Sequence, residues 1–265
     1  MIPMMNLTTI NGKNVLLFGC TGVLGKAHVS ILSSLGCNLL IADRKGSGIE
    51  RVAEEFQVDY VYADASSETD LINLAQRTTK VFGELDAAIY NVAITSEGLA
   101  KGGSPKSYEF TSYPLHLWEM TININLTGAF LFAREVGKQL VSQRSGSLIF
   151  ISSIYGTLAP DHRIYNNERI STFPGYSASK SGLIGLMRWL STLWAPYNIR
   201  VNAVSPGGIY NNHSTSFVEK YTHRVPMERM GTNTDITGIL SYLISDSSSY
   251  TTGQNIHIDG GLSAW

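Results

Sequence analysis

Seven short apolar runs recur along the chain with helix-like segments between them: NVLLFG, NLLIAD, VDYVYAD, LDAAIYN, GSLIFISS, IRVNAVSP and NIHIDGG. Runs this short and this apolar read as strands buried on both sides. Strands that alternate with helices are joined by crossovers, which makes their sheet parallel. The expected fold is therefore α/β, a doubly wound, seven-stranded parallel sheet with helices on both faces. No Pro- or Ser-rich linker and no repeat interrupts the alternation, so residues 1–265 read as one domain. Specificity then falls to loops, near 95–114, 154–174 and 208–230. The first two are long and polar and follow strand carboxyl ends, where ligands bind in open α/β sheets.

Composition narrows the functions open to such a fold. With 43% apolar residues the chain can bury a full core. A net charge of −1 and the lack of a basic run give no footprint for nucleic acid or an anionic membrane. No run is long enough to span a bilayer and MIPMMNLTTI lacks the order of a signal peptide, so a cytoplasmic location is expected. Cys20 and Cys37 lack metal-ligand spacing and the six histidines form no cluster; reduced thiols and no metal are expected.

After the first run comes GCTGVLGKA, in which Gly19, Gly22 and Gly25 open a helix expected to reach about Leu35. Glycines here let backbone N–H groups approach a pyrophosphate, and the helix N-terminus adds partial positive charge. The loop residues Gly19, Thr21, Gly22, Val23, Leu24 and Gly25 are thus candidate cofactor contacts. Asp43 ends the second run, eighteen residues past Gly25. A carboxylate there accepts hydrogen bonds from both adenosine ribose hydroxyls and repels a 2′-phosphate, favouring NAD over NADP. Arg44 opposes that preference, because a guanidinium can hold the phosphate.

Tyr176 and Lys180 are four apart at the start of an apolar helical segment and share one face. Free tyrosine titrates near pH ~10 and is a poor base at neutrality. A fixed ammonium favours the phenolate, and lowering the phenol by about three pH units would make it a useful proton acceptor. Ser153 is placed to hydrogen-bond a substrate oxygen beside that phenol.

GCTGVLG, Asp43, Asp64, YNVA, NLTG, ISS, YSASK, NAVSPGG and IDGG together resemble the short-chain dehydrogenases/reductases along nearly the whole chain. The resemblance implies the Rossmann form of the doubly wound sheet and an NAD(P)-dependent alcohol dehydrogenase or ketoreductase. Tyr176 would be the general acid/base, and Lys180 would lower its pKa and hold the nicotinamide ribose. Ser153 would orient the substrate oxygen, and Asn125 would join Lys180 through water in a proton relay. Asp64 and Ala65 would meet the adenine, and Asn91 would support the cofactor floor. Ile209 would bind the carboxamide through its backbone, with Pro206 and Gly207 as further cofactor contacts. Phe18, Val23, Tyr90, Val92 and Asn211 depart from the family's usual residues.

Between Ser153 and Tyr176 lie twenty-two residues, more than the family usually has. In that insertion Arg163 and Arg169 could grip phosphate or carboxylate, while His162, Asn166 and Asn167 suit sugar hydroxyls. PDHRIY, WAPYNIRVNAVSPGGIYN and GGLSAW resemble oxidoreductases of bacterial flagellin-modification and legionaminic-acid pathways. That implies a sugar, amino sugar, sugar phosphate or nucleotide sugar as the polar small-molecule substrate. Two alternatives stand beside it: an NAD-binding regulator or scaffold without useful catalysis, and a sugar epimerase, whose branch shares the GxxGxxG spacing. Apolar residues around most of the segments 176–194 and 122–141 point to a homodimer or homotetramer.

Overall fold

All seven runs are strands in the computed structural model, which describes residues 8–95, 99, 109–165 and 172–265. They are β1 (Asn14–Phe18), β2 (Asn38–Asp43), β3 (Asp59–Tyr62), β4 (Ala87–Tyr90), β5 (Gly146–Ile151), β6 (Ile199–Pro206) and β7 (Asn255–Ile258). Every pairing is parallel, in the order β3-β2-β1-β4-β5-β6-β7. The helices used below are α1 (Val23–Ser34), α2 (Ile49–Phe56), α3 (Glu68–Phe82), α4 (Leu115–Ile122), α5 (Gly128–Gln143), α6 (Pro174–Trp194), α7 (Thr215–Thr222) and α8 (Asn233–Ile244).

Successive residues of a strand face opposite sides of the sheet, and here both sides are covered. Leu16 and Phe18 of β1 pack with Leu71 of α3, Phe132 of α5 and Leu183 of α6. Val15 and Leu17 pack with Val29 and Leu32 of α1 and Ile236 and Leu240 of α8. Burial on both faces is why the five inner strands carry little polar alternation, while β3 at the sheet edge is largely exposed.

The strand order reverses between β1 and β4. Loops leaving these two neighbours diverge to opposite faces and open a crevice at their carboxyl ends, the ligand position of open α/β sheets. Beneath it Phe18 meets Tyr90 edge-on, with centroids 5.7 Å apart, and Phe132 at 5.8 Å. The α4 and α5 segments are joined by a π-helical turn, Asn123–Thr127. Such a turn breaks the regular bonding ladder, and the Tyr90 hydroxyl donates to the Ile124 carbonyl at 2.5 Å. Phe18 and Tyr90, both departures from the family pattern, are therefore packing partners that floor the crevice.

Among the described residues no helix is long and apolar enough to cross a membrane.

Candidate active site

The crevice holds a cavity of about 300 Å³ lined by Gly19, Thr21, Gly22, Asp43, Arg44, Asp64, Ala65 and Asn91, and continuing along Val92–Thr95. Gly19 has φ +91°, and a Cβ there would lie 2.7 Å from the Val92 amide nitrogen, so only glycine allows this turn. At Gly25 a Cβ would lie 2.2 Å from the Gly19 carbonyl oxygen, which fixes how closely α1 sits on the loop. Gly22 has nothing within 4 Å of a Cβ position and leaves the approach open. No side chain caps α1 at Gly22, and its first turn carries no acid. Val23, Leu24 and Gly25 do not line the cavity; their part is the N-terminal turn itself. An uncapped helix start facing an open, elongated cavity fits a dinucleotide, with pyrophosphate at the turn and adenosine toward Asp43 and Asp64.

The Asp43 carboxylate is already in use. Its Oδ2 accepts from the Thr21 amide at 3.0 Å and the Thr21 hydroxyl at 2.8 Å. Its Oδ1 accepts from the Arg44 amide at 2.8 Å. A carboxylate offers about four acceptor sites, so one is left where the sequence reading expected bonds to two ribose hydroxyls. Asp64, exposed at the rim, accepts from the Ser66 amide and hydroxyl at 2.8 and 2.6 Å. Asn91 donates to the Gly19 carbonyl at 2.6 Å and so ties the glycine loop to the end of β4.

A second cavity, about 210 Å³, contains Ser153, Tyr176, Gly207 and Ile209 in its lining and shares Thr95 with the first. Ser153 leaves the end of β5. Tyr176 sits on the first turn of α6, which Pro174 starts with a preset φ. Ser153 Oγ accepts from the Tyr155 amide at 3.1 Å, so its own O–H remains to donate. Lys180 lies one turn beyond Tyr176 and is only 1% exposed. Its Nζ donates to the Ile151 carbonyl at 2.7 Å and stands 5.7 Å from the Tyr176 ring centroid. Neither Lys180 nor Pro206 lines a described cavity.

The electrostatics differ from the sequence expectation. Burial raises the Tyr176 phenol above its ordinary value; the Ser153 hydroxyl pulls it down and Tyr155 pushes it further up. Burial also lowers Lys180 to about 7, which weakens the fixed positive charge on which a lowered phenol depended. Asn125 is held from two sides. Its Oδ1 accepts from the Ile94 amide at 2.7 Å and its Nδ2 donates to Ser179 Oγ at 3.1 Å. The side chain thus joins the loop after β4 to α6, and no direct bond runs from it to Lys180.

The insertion enters as a 3₁₀ turn, His162–Tyr165. Arg163 forks onto Asp161, with Nε and Nη2 each 2.8 Å from a carboxylate oxygen, and its side chain is 88% exposed. That pairing holds the Asp161 carboxyl well below the usual range. His162 is exposed too, and neither residue lines the cavity, which corrects their expected substrate contacts. Arg169, Asn166 and Asn167 lie outside the described residues.

Aromatic residues take the place that Arg163 was expected to fill. Tyr155 and Tyr165 line the cavity together with His213, Phe217 and Tyr221, the last two from α7. The Tyr221 hydroxyl accepts from the Gly208 amide. Sequence reasoning passed over this group, although Phe217 and Tyr221, four apart, already share one helix face.

What the doubly wound sheet, the glycine-loop crevice and the Ser153–Tyr176–Lys180 grouping define is an oxidoreductase of the short-chain type. Residues 21–263 match the family model described as enoyl-(acyl carrier protein) reductase, and the chain belongs to that family, within the short-chain dehydrogenases/reductases. It is 30% identical over 264 residues to 3-oxoacyl-(acyl-carrier-protein) reductase FabG of Aquifex aeolicus, covering 96% of this chain and 98% of that protein. It is 31% identical over 274 residues to the NADP-dependent mannitol dehydrogenase of Hypocrea jecorina, covering 97% and 95%. Levodione reductase, a solved structure, superposes with a TM-score of 0.83 at 26% identity, covering 96% of this chain and 98% of that one. Enzymes of this family bind NAD or NADP and act on small molecules.

Proposed function

We propose that the protein is an NAD-dependent dehydrogenase or reductase that interconverts a secondary carbinol and its ketone on a small neutral polyol, sugar or amino sugar. The observation that carries the reading is that Ser153 and Tyr176 face one cavity, which meets the glycine-loop cavity at Thr95. When bound, the nicotinamide supplies or accepts the hydride. The chain's own residues move the proton: Ser153 donates to the substrate oxygen, and Tyr176 exchanges the carbinol proton. A phenol raised by burial is protonated at neutral pH, which suits it to donate during reduction. Lys180 ties the second turn of α6 to the Ile151 carbonyl and faces the phenol ring. Asn125 sets the Ile94 loop between the two cavities. For the cofactor, Asp43 sets a negative charge where a 2′-phosphate would come, which supports NAD; Arg44 lines the same cavity and opposes it.

Three features support a neutral substrate. A cavity of about 210 Å³ is small beside the roughly 300 Å³ or more that a drug-sized ligand needs. Its described lining has no Lys or Arg, so an anionic group would be buried unpaired. Its rim carries many hydroxyls. The narrower resemblance to flagellin-modification and legionaminic-acid oxidoreductases supports a sugar or amino sugar in a surface-glycan pathway, as does kinship with a mannitol dehydrogenase. Phosphorylated and nucleotide-linked sugars weigh less, because Arg163 turns away. The same reading places residues 1–265 in one cytoplasmic domain with the three loops around the substrate. Spectrophotometric NAD(P)H formation across neutral polyols, sugar phosphates and simple alcohols tests it. Turnover of the polyols is expected, and turnover confined to phosphorylated sugars would sink it.

A further inference from the structure

We propose that Tyr165, supplied by the insertion, pairs with Tyr155 as a specificity element that reads a second hydroxyl of a neutral substrate. This rests on the oxidoreductase reading above. The two phenol oxygens are 2.5 Å apart, and both residues line the cavity that holds Ser153 and Tyr176. Tyr155 stands two residues after Ser153, and its amide bonds the Ser153 hydroxyl at 3.1 Å. The phenol pair and the serine that meets the reacting oxygen therefore share one turn. Tyr165 is fixed from the other side. Its ring packs on Phe217 with centroids 5.5 Å apart, and the neighbouring Ile164 is buried in the cluster of Phe217, Tyr221 and Val225. At the base of the turn Asp161 faces Arg224 at 3.5 Å.

Two neutral phenols in contact spend one O–H on each other. One O–H is left to donate, and lone pairs are left to accept. That combination matches a hydroxyl, which also donates and accepts. A carboxylate or phosphate would find a single donor on the phenol pair and no Lys or Arg among the described lining residues, at a large desolvation cost. Burial keeps both phenols above their ordinary values, and hence neutral at physiological pH. A site built to pair a substrate hydroxyl discriminates strongly against the analogue lacking it, because its own polar groups are then stranded. The insertion thus acts through the phenol it delivers rather than through Arg163.

The test compares cyclohexane-1,2-diol with cyclohexanol, two neutral probes of one ring skeleton, by kcat/KM for wild type, Tyr165→Phe and Tyr155→Phe with NAD or NADP. Wild type is expected to favour the diol by about 10-fold or more. Either variant should lose about 10-fold or more on the diol and stay within about 2-fold on cyclohexanol, with cofactor binding unmoved in calorimetry. Equal use of both alcohols by wild type overturns the proposal. So does a Tyr165→Phe loss that is the same for both, since the pair is then only a latch holding the insertion. Should neither alcohol be oxidised, turnover of these probes fails separately, and recognition is decided by calorimetric titration of the cofactor-loaded proteins. Tighter binding of the diol, lost in the variants, sustains the proposal; equal binding, or none, overturns it.

Discussion

His28 is fully buried on α1, and neither ring nitrogen has a hydrogen-bond partner. Burial pushes it down to about 4 from 6.5. Between those pH values the unfolded chain binds the proton and the folded chain does not, so stability is lost as pH falls through that window. The full loss is on the order of 3 kcal/mol. Denaturant midpoints between pH 7 and 4.5 should therefore fall less steeply for His28→Leu than for wild type; parallel declines would contradict this. At the residue scale the sequence was most legible where function depends on local spacing. Tyr176 and Lys180 share a helix face because they are four apart, whatever packs around them. Arg163 was misread because the carboxylate of Asp161, two positions earlier, captures it on a 3₁₀ turn. Tyr165, its near neighbour, gains its role only from Phe217 and Tyr155, which tertiary packing brings to it.

The elements divide in the same way. The five inner strands were readable because burial on both faces leaves a nearly unbroken apolar run, whereas the edge strand β3 is largely exposed. The π turn at Asn123–Thr127 was not, since it goes with a bond from Tyr90, a residue more than thirty positions away. Nor was the part of α7 in the substrate cavity, because aromatic spacing on a helix more often signals core. The glycine loop allows a direct separation of structural from ligand roles. Gly25→Ala must push a methyl into the Gly19 carbonyl, and is expected to cost about 1–3 kcal/mol of stability. Gly22→Ala meets only open space; its melting temperature should stay near wild type while NAD affinity falls about 10-fold or more, the methyl standing where the pyrophosphate approaches. Thermal melts and cofactor titrations of the two variants check this. Equal destabilisation, or undisturbed NAD binding by Gly22→Ala, would contradict the cradle.

At the scale of the whole molecule, two helices keep apolar faces that the described residues do not cover. Trp189 on α6 is 63% exposed, with Leu193 near it in sequence and Phe130 exposed on α5. Solvent-facing tryptophan and leucine on neighbouring long helices fit a twofold contact between copies. Sedimentation at micromolar concentration is expected to give a dimer or tetramer, and Trp189→Glu to shift it toward monomer; a monomeric wild type would refute the assignment. Within each copy the proton transfer is assigned to one phenol, in the cavity that meets the glycine-loop cavity at Thr95. Its most direct test is a paired measurement on Tyr176→Phe, NAD(P)H formation on a neutral polyol that wild type oxidises and calorimetric cofactor affinity. The account predicts that turnover falls by about 10²-fold or more while affinity changes by less than about 3-fold. Turnover near the wild-type rate would remove Tyr176 from the chemistry and contradict the account.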